Sequence, residues 1–177
     1  MIKFDRPTVG FSGPRHTSGS HRDRVCRFLR DQLLQIRPRA ATSGCAEGVD
    51  TIGIELAEEI GVPLLRLAIP ITVNGVVPAI NDALCARGVL EASRGSRWIV
   101  EYGRPGNDHG DAYLKRDDLA VARSEIMLIV PKTSAEELRS GTWATVRRSR
   151  KAGREIRFFP LDGSDPWTEP APARLFA

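Results

Sequence analysis

The sequence predicts a single α/β domain in which a mainly parallel β-sheet carries helices on both faces. Short apolar segments of strand length alternate along the chain with longer segments of helical periodicity. Glycine-containing turns end two of the apolar segments, and a third such turn opens a helix, as is common where parallel strands connect to helices. A length of 177 residues fits one domain of this class with a complete core.

The first half of the chain is predicted to form three strands and two helices in alternation. The strands are expected at residues 8–13, 40–44 and 63–71, and the helices at residues 20–36 and 49–60. Both helices are inferred from apolar residues that recur every three or four positions. Pro38 ends the first helix, and Gly61 and Pro63 end the second.

The second half continues the alternation with less regular spacing. Residues 80–93 are predicted to hold a short helix, which Gly88 weakens. Further strands are expected at residues 96–103, 125–131 and 154–161, and further helices at residues 113–122 and 140–153. The domain is therefore expected to span residues 1–163, and the proline-rich residues 164–177 to form an extended tail.

The overall composition indicates a globular protein with a modest positive charge. The net charge of +4 is compatible with a polyanionic partner and equally with an ordinary solvated surface. Cys26, Cys45 and Cys85 have no metal-ligand spacing, so we expect reduced packing residues and a cytoplasmic location. No apolar run approaches the roughly 20 residues that span a bilayer, so no membrane association is expected.

Three glycine-containing turns form the candidate ligand site. Open parallel sheets bind ligands at the carboxyl ends of their strands, and backbone N–H groups at such turns and at helix N-termini favour phosphate. The candidate phosphate-binding residues are Ser12, Gly13 and Arg15, then Ser43, Gly44 and Gly48, and finally Ser140, Gly141 and Thr142. The structural alternative is that the glycines serve only turn geometry and that Arg15 is a surface residue.

Two acidic residues, Glu47 and Asp50, lie in the second turn, where they would repel a phosphate. An acid in the first turn of a helix can stabilise the helix dipole. It can also accept a hydrogen bond from a sugar hydroxyl, as an acidic residue does in dinucleotide sites. Under the second interpretation, the ligand carries both a phosphate and a ribose.

A second candidate surface consists of basic residues near the end of the chain. Arg147, Arg150, Lys151 and Arg154 have the spacing of residues on one helix face. Such a stripe could follow a nucleic-acid backbone or could simply be solvated. The residues considered for base stacking are Trp98, Tyr102 and Trp143. No catalytic or metal-binding motif is present, so no catalytic residue, metal or cofactor is expected.

Five motifs occur in an order that matches a known family. They are VGFSGPRHTSG, TSGCAEGVDTIGIELAEEIGVPL, WIVEYGRPG, YLKRDDLAVARSEIMLIVP and SGTWATVRRSRKAGREIRFFPLDG. Together they resemble the Rossmann-like domain of the DNA-processing protein A (DprA/Smf) family, and more broadly the SLOG superfamily, which includes the LOG phosphoribohydrolases. The resemblance implies a pocket for nucleotide-like ligands, and in DprA proteins a region that binds single-stranded DNA. It adds Glu101, Tyr102 and Arg116 to the candidate pocket.

Two departures from these families bear on function. Asp117 stands where DprA-like proteins carry asparagine, which disfavours close phosphate contact there. Arg139 replaces the first glycines of the LOG signature, and Thr145 replaces its glutamate, so the resemblance favours binding over catalysis.

The leading hypothesis is a stand-alone domain that binds a nucleotide or nucleotide-derived ligand. One alternative is single-stranded DNA binding through the basic stripe. Another is a nucleoside monophosphate phosphoribohydrolase in which Asp50, Glu47 or Glu101 supplies the acid–base group. For oligomeric state, Leu84 and Leu90 could form a homodimer interface, or they could pack in the core.

Overall fold

The computed structural model describes residues 6–77 and 82–172 and confirms the predicted α/β class. The strands of these residues are β1 Thr8–Ser12, β2 Ala40–Ser43, β3 Leu64–Ile69, β4 Ile71–Thr72, β5 Gly75–Val76, β6 Trp98–Tyr102, β7 Ile126–Ile129, β8 Glu155–Phe158 and β9 Trp167–Glu169. The helices are α1 Gly19–Ile36, α2 Val49–Ile60, α3 Asp82–Ser93, α4 His109–Ala122 and α5 Gly141–Lys151.

Seven strands form one sheet in the order β6-β3-β2-β1-β7-β8-β9. All pairs in it are parallel except β8 with β9, while β4 and β5 form a separate antiparallel hairpin. The chain builds outward from β1 through β2 and β3 to β6, and then crosses back to β7 on the other side of β1. The strand order therefore reverses between β1 and β7.

The reversal places helices on both faces of the sheet. Connections between parallel strands are right-handed, so helices of units that progress in opposite directions cover opposite faces. Accordingly, α1, α2 and α3 pack with one core cluster, which contains Leu29, Ile54 and Leu65. Helices α4 and α5 pack on the other face with a second cluster, which contains Trp143 and Phe158. Both faces of the sheet are thus covered by helices. The carboxyl ends of the strands are not covered in this way, and a ligand site can form there.

Two of the predicted element boundaries that differ from the structure have a clear local cause. Strand β3 ends at Ile69, because Pro70 has no N–H to donate, and the hairpin of β4 and β5 follows instead of the predicted continuation. Helix α4 begins before the predicted start at Tyr113, because Asp108 caps it by accepting a hydrogen bond of 2.8 Å from the Asp111 N–H. This capping pattern was visible in the sequence.

Helix α3 continues through Gly88, where we expected a weakness. A side chain at Gly88 would collide with Leu67, so the glycine allows α3 to approach β3 closely. Leu84 on the same helix is buried, whereas Leu90 is 49% exposed. Of the two residues considered for a homodimer interface, only Leu90 is therefore on the surface.

Part of the expected tail adds a strand to the sheet. Strand β9 pairs antiparallel with β8, and the ring of Trp167 stacks on Phe158 with 4.2 Å between centroids. Arg150 of α5 holds the same strand through Glu169, with an N–O distance of 2.7 Å. Residues 167–169 are thus packed against the domain.

Candidate functional site

A cavity of about 600 Å³ opens at the carboxyl edge of the sheet, where the strand order reverses. Its walls come from the loops after β1, β2 and β7, the first turn of α5, and one face of α4. The lining residues are Phe11, Ser12, Gly13, Pro14, Arg15, His16, Gly44, Ala46, Asp50, Tyr113, Leu114, Arg116, Asp117, Ala120, Met127, Lys132, Glu137, Arg139, Ser140, Gly141, Thr142 and Thr145. This is the position at which open α/β sheets bind ligands.

The first and third glycine turns converge in this cavity. A side chain at Gly13 would place its Cβ 2.5 Å from Val49 Cγ2, so Gly13 is needed for the turn to pack against α2. Gly141 has open space around it and begins α5. Ser140 caps α5 by accepting a hydrogen bond of 3.4 Å from the Trp143 N–H. The N–H groups of Gly141 and Thr142 lack acceptors within the helix and lie at its positive end.

Three exposed cations stand at the cavity: Arg15, Lys132 and Arg139. Within residues 6–77 and 82–172, none of the three is paired with a carboxylate. The guanidinium carbon of Arg15 lies 5.2 Å from the ring centroid of Tyr113. These side chains are therefore available to an anionic ligand, although Glu137 in the same wall adds one negative charge.

Asp162 orders the loop that carries Lys132 and Arg139. Its Oδ2 accepts a hydrogen bond of 2.6 Å from the Ser134 N–H, and its Oδ1 accepts one of 3.0 Å from the Ser164 N–H. These two backbone donors lower the pKa of Asp162 to about 2. The carboxylate thus stays ionised and keeps the loop tied to the segment after β8.

The second glycine turn shapes the cavity more than it lines it. Ser43 is buried; its hydroxyl accepts from the Cys45 N–H and donates to the Asp50 carbonyl, each at 3.1 Å. Gly48 has a φ of 80°, and a Cβ there would lie 2.5 Å from the carbonyl oxygen of Arg15. Only Gly44 of the three predicted residues in this turn lines the cavity. Ser43 and Gly48 hold the second turn against the first.

Cys45 occupies the same turn with a φ of 58°, which is unusual for a residue other than glycine. A hydrogen bond with Cys85, together with burial, raises the pKa of the Cys45 thiol. A thiol that stays protonated is a poor nucleophile and a poor metal ligand. Cys45 therefore acts as a packing residue of the turn.

The two acids of the second turn occupy different environments. Glu47 is exposed and does not line the cavity. Asp50 is buried, and its Oδ2 accepts a hydrogen bond of 3.0 Å from the Gly44 N–H. Burial raises the pKa of Asp50 from 3.8 to about 7, while the charge of Arg116 opposes this rise. Asp50 thus ties the start of α2 to the second turn through Gly44, a role that differs from both of those considered for it.

Arg116 joins the second turn to α4. It is buried, donates from Nη1 to the Gly44 carbonyl, and lies with Nε 2.8 Å from Asp117 Oδ1. Burial raises the pKa of Asp117, and Arg116 opposes this rise as well. The charge of this one guanidinium therefore acts on two carboxyl groups, Asp117 beside it on α4 and Asp50 in the first turn of α2.

The raised pKa of Asp50 predicts that stability depends on pH. The folded protein holds this proton more tightly than the unfolded chain, so the contribution of Asp50 is fully present below pH 3.8 and is lost as pH rises through about 7. Asp50→Asn keeps an oxygen acceptor for Gly44 and removes the titration. Urea unfolding at a series of pH values should therefore show a smaller decline for Asp50→Asn than for wild type. If the unfolding free energies of wild type and Asp50→Asn change equally with pH, the pKa of Asp50 is not raised in the folded protein.

Two of the predicted pocket residues lie elsewhere. Glu101 is on the edge strand β6, where it pairs with Arg66 at 3.1 Å and with Arg123 at 2.8 Å. Tyr102 ends the same strand and is 56% exposed. Neither residue lines the cavity. Strands β3 and β2 lie between β6 and β1 in the sheet, so residues of β6 are remote from the cavity beside β1.

The predicted basic stripe is largely engaged in ion pairs. Arg147 and Arg150 both contact Glu136, at 3.0 and 2.8 Å. Arg154 lies beyond the end of α5 at Lys151, off the helical face predicted for it, and donates to the carbonyl of Ala122 at 3.2 Å. Lys151 is exposed. Most of the positive charge of this face is therefore already neutralised or used within the fold.

Sequence reasoning missed Tyr113 and Lys132 and did not count Asp117 and Arg139 as site residues. Lys132 follows the strongest apolar strand of the sequence, so its place at a carboxyl end could have been inferred. Tyr113 shares a helix face with Arg116, because residues three apart on a helix are neighbours. Because Arg116 was already a candidate, the spacing of three residues could have identified Tyr113 as its neighbour on the helix.

The comparisons with known proteins concern the fold. No protein-family model and no curated protein matches the chain. DNA processing protein A from Helicobacter pylori, which binds single-stranded DNA, superposes with a TM-score of 0.60 at 18% identity over 87% of this chain. DprA from Streptococcus pneumoniae superposes with a TM-score of 0.61 at 20% identity over 89% of this chain. The chain has the Rossmann-like fold of DprA.

The DprA-like fold seen here corresponds to part of those proteins. The chain covers 65% of the length of the H. pylori protein and 51% of the S. pneumoniae protein. The molybdenum cofactor carrier protein of Chlamydomonas reinhardtii is also similar, with a TM-score of 0.51 at 16% identity over 86% of this chain and 76% of that protein. At these identities the similarity establishes the fold, and the cavity must be interpreted from its own residues.

Two further properties concern partners. Among the described residues, no group of three His, Cys, Asp or Glu side chains is arranged to hold a metal ion. The described helices include none with both the length and the apolar character needed to cross a bilayer.

Proposed function

We propose that the cavity at the strand reversal binds a nucleotide ligand by its phosphate. The observation that carries this function is that one cavity is lined both by the N-terminus of α5 and by Arg15, Lys132 and Arg139, none of which pairs with a carboxylate within the described residues. Backbone N–H groups and guanidinium groups are the usual phosphate ligands. A volume of about 600 Å³ lies within the range of about 300–1,000 Å³ typical of small-molecule sites.

The charges of the cavity suggest how such a ligand is oriented. Phosphate is favoured at the first and third glycine turns, near Arg15 and Gly141. The wall with Asp50 and Asp117 disfavours phosphate and suits the hydroxyl groups of a sugar. Glu47, which was considered for the sugar, has no part in this arrangement because it does not line the cavity.

Binding without hydrolysis is the simpler function for this set of residues. Thr145 occupies the position expected for the LOG glutamate, and its hydroxyl donates to the Gly141 carbonyl at 3.3 Å within α5. Two carboxyl groups that line the cavity, Asp50 of α2 and Asp117 of α4, are both engaged with Arg116 or backbone groups. Neither carboxylate is therefore available as a general base beside the proposed phosphate site. Release of free base from AMP would contradict this view.

Single-stranded DNA is a second candidate ligand, and the two DprA structures favour it, since one of those proteins binds single-stranded DNA. On this chain, a strand would cross the mouth of the cavity with one phosphate at Arg15. The face of α5 is less suitable, because Arg147 and Arg150 are already paired with Glu136. A cytoplasmic location would suit either ligand.

Arg15→Ala tests the cavity against the helix face. Because hydrogen bonds to charged groups contribute strongly, we expect Arg15→Ala to weaken binding of mononucleotides and oligonucleotides by roughly 10- to 100-fold. Arg147→Ala, the matched control on α5, should leave the dissociation constant unchanged. Binding of mononucleotides is measured by isothermal titration calorimetry with a nucleotide panel. Binding of oligonucleotides is measured by fluorescence anisotropy with labelled oligothymidylate. The reverse pattern would assign binding to α5.

Salt dependence separates the two candidate ligands. A strand that contacts several phosphates should lose affinity steeply, with a slope of about −0.7 per phosphate in log K against log salt, whereas a mononucleotide should give a shallow slope. A ligand at a hundred times its Kd should also add about 2.7 kcal/mol to the unfolding free energy. If neither class of ligand stabilises the protein, the proposed function is wrong.

A further inference from the structure

Tyr113 forms part of the α4 wall of the cavity and lies close to two guanidinium groups. The guanidinium carbon of Arg15 is 5.2 Å from its ring centroid, and that of Arg116 is 5.4 Å away. Arg116 is buried and fixed by Asp117 and Gly44. Arg15 is exposed and has no carboxylate partner within the described residues. One cation is therefore fixed beside the ring, and the other is able to move.

Within residues 6–77 and 82–172, the other aromatic residues do not offer a stacking surface in this cavity. Trp98 and Trp143 are 3% and 2% exposed and belong to the two core clusters. Phe11 lines the cavity but is buried, and a side chain at Gly53 would collide with its ring. Tyr102 is exposed but lies outside the cavity. Tyr113 is thus the partly exposed aromatic ring among the residues that line it.

The charge distribution indicates which part of a ligand would meet this ring. Asp117 lies one helical turn from Tyr113 on α4, both line the cavity, and the nearby Arg116 is already paired with Asp117, so this wall offers little attraction to a phosphate. The phosphate-binding groups lie at the loops after β1 and β7 and at the start of α5. A nucleotide with its phosphate there would direct its uncharged end toward α4.

We propose that Tyr113 is the base-binding residue of the cavity: the nucleobase of a phosphorylated nucleotide unit stacks on its ring. The assignment rests on the proposed function. A cation–π contact made by an exposed arginine is weak, so the base can displace Arg15 from the ring. The released guanidinium then pairs with the ligand's phosphate. Stacking accepts any base, because every base has a π-face, so the subsite selects for the presence of a base.

The test compares ligands that differ only in the base. The mononucleotide arm uses AMP and ribose 5-phosphate, and the strand arm uses oligothymidylate and an abasic oligomer of equal length. Wild type should bind the base-bearing member of its arm more tightly. Tyr113→Leu should weaken binding of that ligand by roughly 5- to 100-fold, as expected for loss of one base–aromatic stack, and leave binding of the base-free ligand unchanged. Tyr113→Phe, which keeps the ring, should bind like wild type.

The possible results distinguish the subsite from the proposed function. If wild type binds base-bearing and base-free ligands equally, or if Tyr113→Leu weakens both equally, Tyr113 is not a base subsite, although the cavity still binds phosphate. If wild type binds none of the four ligands, the proposed function fails and the subsite with it. If Tyr113→Leu does not fold, wild type and Tyr113→Phe still test the proposal. Equal binding of base-bearing and base-free ligands by wild type overturns it. Loss of the preference for base-bearing ligands in Tyr113→Phe overturns it as well.

Discussion

Replacing Arg116 with methionine is expected to lower the unfolding free energy by about 3–5 kcal/mol near neutral pH, because removal of one member of a buried ion pair leaves its partner uncompensated. Arg116 is buried, pairs with Asp117 at 2.8 Å, and offsets the negative charge of Asp50. Methionine fills a similar volume without charge. Urea unfolding monitored by circular dichroism measures the loss.

The matched control is Arg148→Met. Arg148 pairs with Asp118 through the same kind of contact, Nε to Oδ1 at 2.8 Å, but the Asp118 side chain is 64% exposed. A solvated pair of this type contributes about 0–1 kcal/mol, so the control should lose little stability. Equal losses for the two variants would show that burial is not the cause.

The cost of Arg116→Met should also depend on pH. Burial raises the pKa of Asp50 to about 7 and also raises that of Asp117, so Asp50 takes up a proton in mildly acidic solution and no longer needs a cation. We therefore expect the difference between Arg116→Met and wild type to shrink as the pH falls below 7. A difference that stays constant would mean that Arg116 acts through packing alone.

Gly48→Ala is expected to lower the unfolding free energy by about 3 kcal/mol, the sum of a backbone penalty of about 1–2 kcal/mol and a similar cost of overpacking. Gly48 has a φ of 80°, and its Cβ would lie 2.5 Å from the carbonyl oxygen of Arg15. Because that carbonyl belongs to the backbone, the first turn must move. Chemical denaturation measures the stability, and titration with nucleotide measures whether the displaced Arg15 still binds.

Gly61→Ala measures the cost of a positive φ where no steric contact adds to it, although the ψ of Gly61 is 33° and that of Gly48 is −124°. Gly61 has a φ of 82°, and a Cβ there would meet no atom within 4 Å. It should therefore lose only the backbone part, about 1 kcal/mol, and leave ligand binding unchanged. If Gly61→Ala is as damaging as Gly48→Ala, the contact between the first two turns does not contribute.

The location of the site could be predicted from sequence because it depends on local signals and on a general property of the fold. Glycines after β1 and β2, and Ser140 before α5, mark strand–helix junctions, and parallel strands bring such junctions to one edge. The cavity lies at that edge and includes Gly13, Gly44 and Gly141. Which residues at the carboxyl ends of the strands line the cavity could not be predicted without the strand order.

Roles that depend on distant segments could not be predicted in this way. The partners of Arg147 and Arg150 include Glu136, in the loop before α5, and Glu169, in β9. Their spacing on one helix face gave no sign of these pairs. Likewise, nothing in the sequence indicates that the Asp50 carboxylate accepts a hydrogen bond from the Gly44 N–H, 3.0 Å from its Oδ2.

Strand β9 has a consequence for the behaviour of the protein in solution. It runs antiparallel along β8 and occupies hydrogen-bonding groups that would otherwise form a free sheet edge. Free edges invite pairing with other chains and hence aggregation. Stacking of Trp167 on Phe158 and the contact of Arg150 with Glu169 secure this cover. Resistance to aggregation thus depends on Trp167, Phe158, Arg150 and Glu169, which hold a three-residue edge strand over β8.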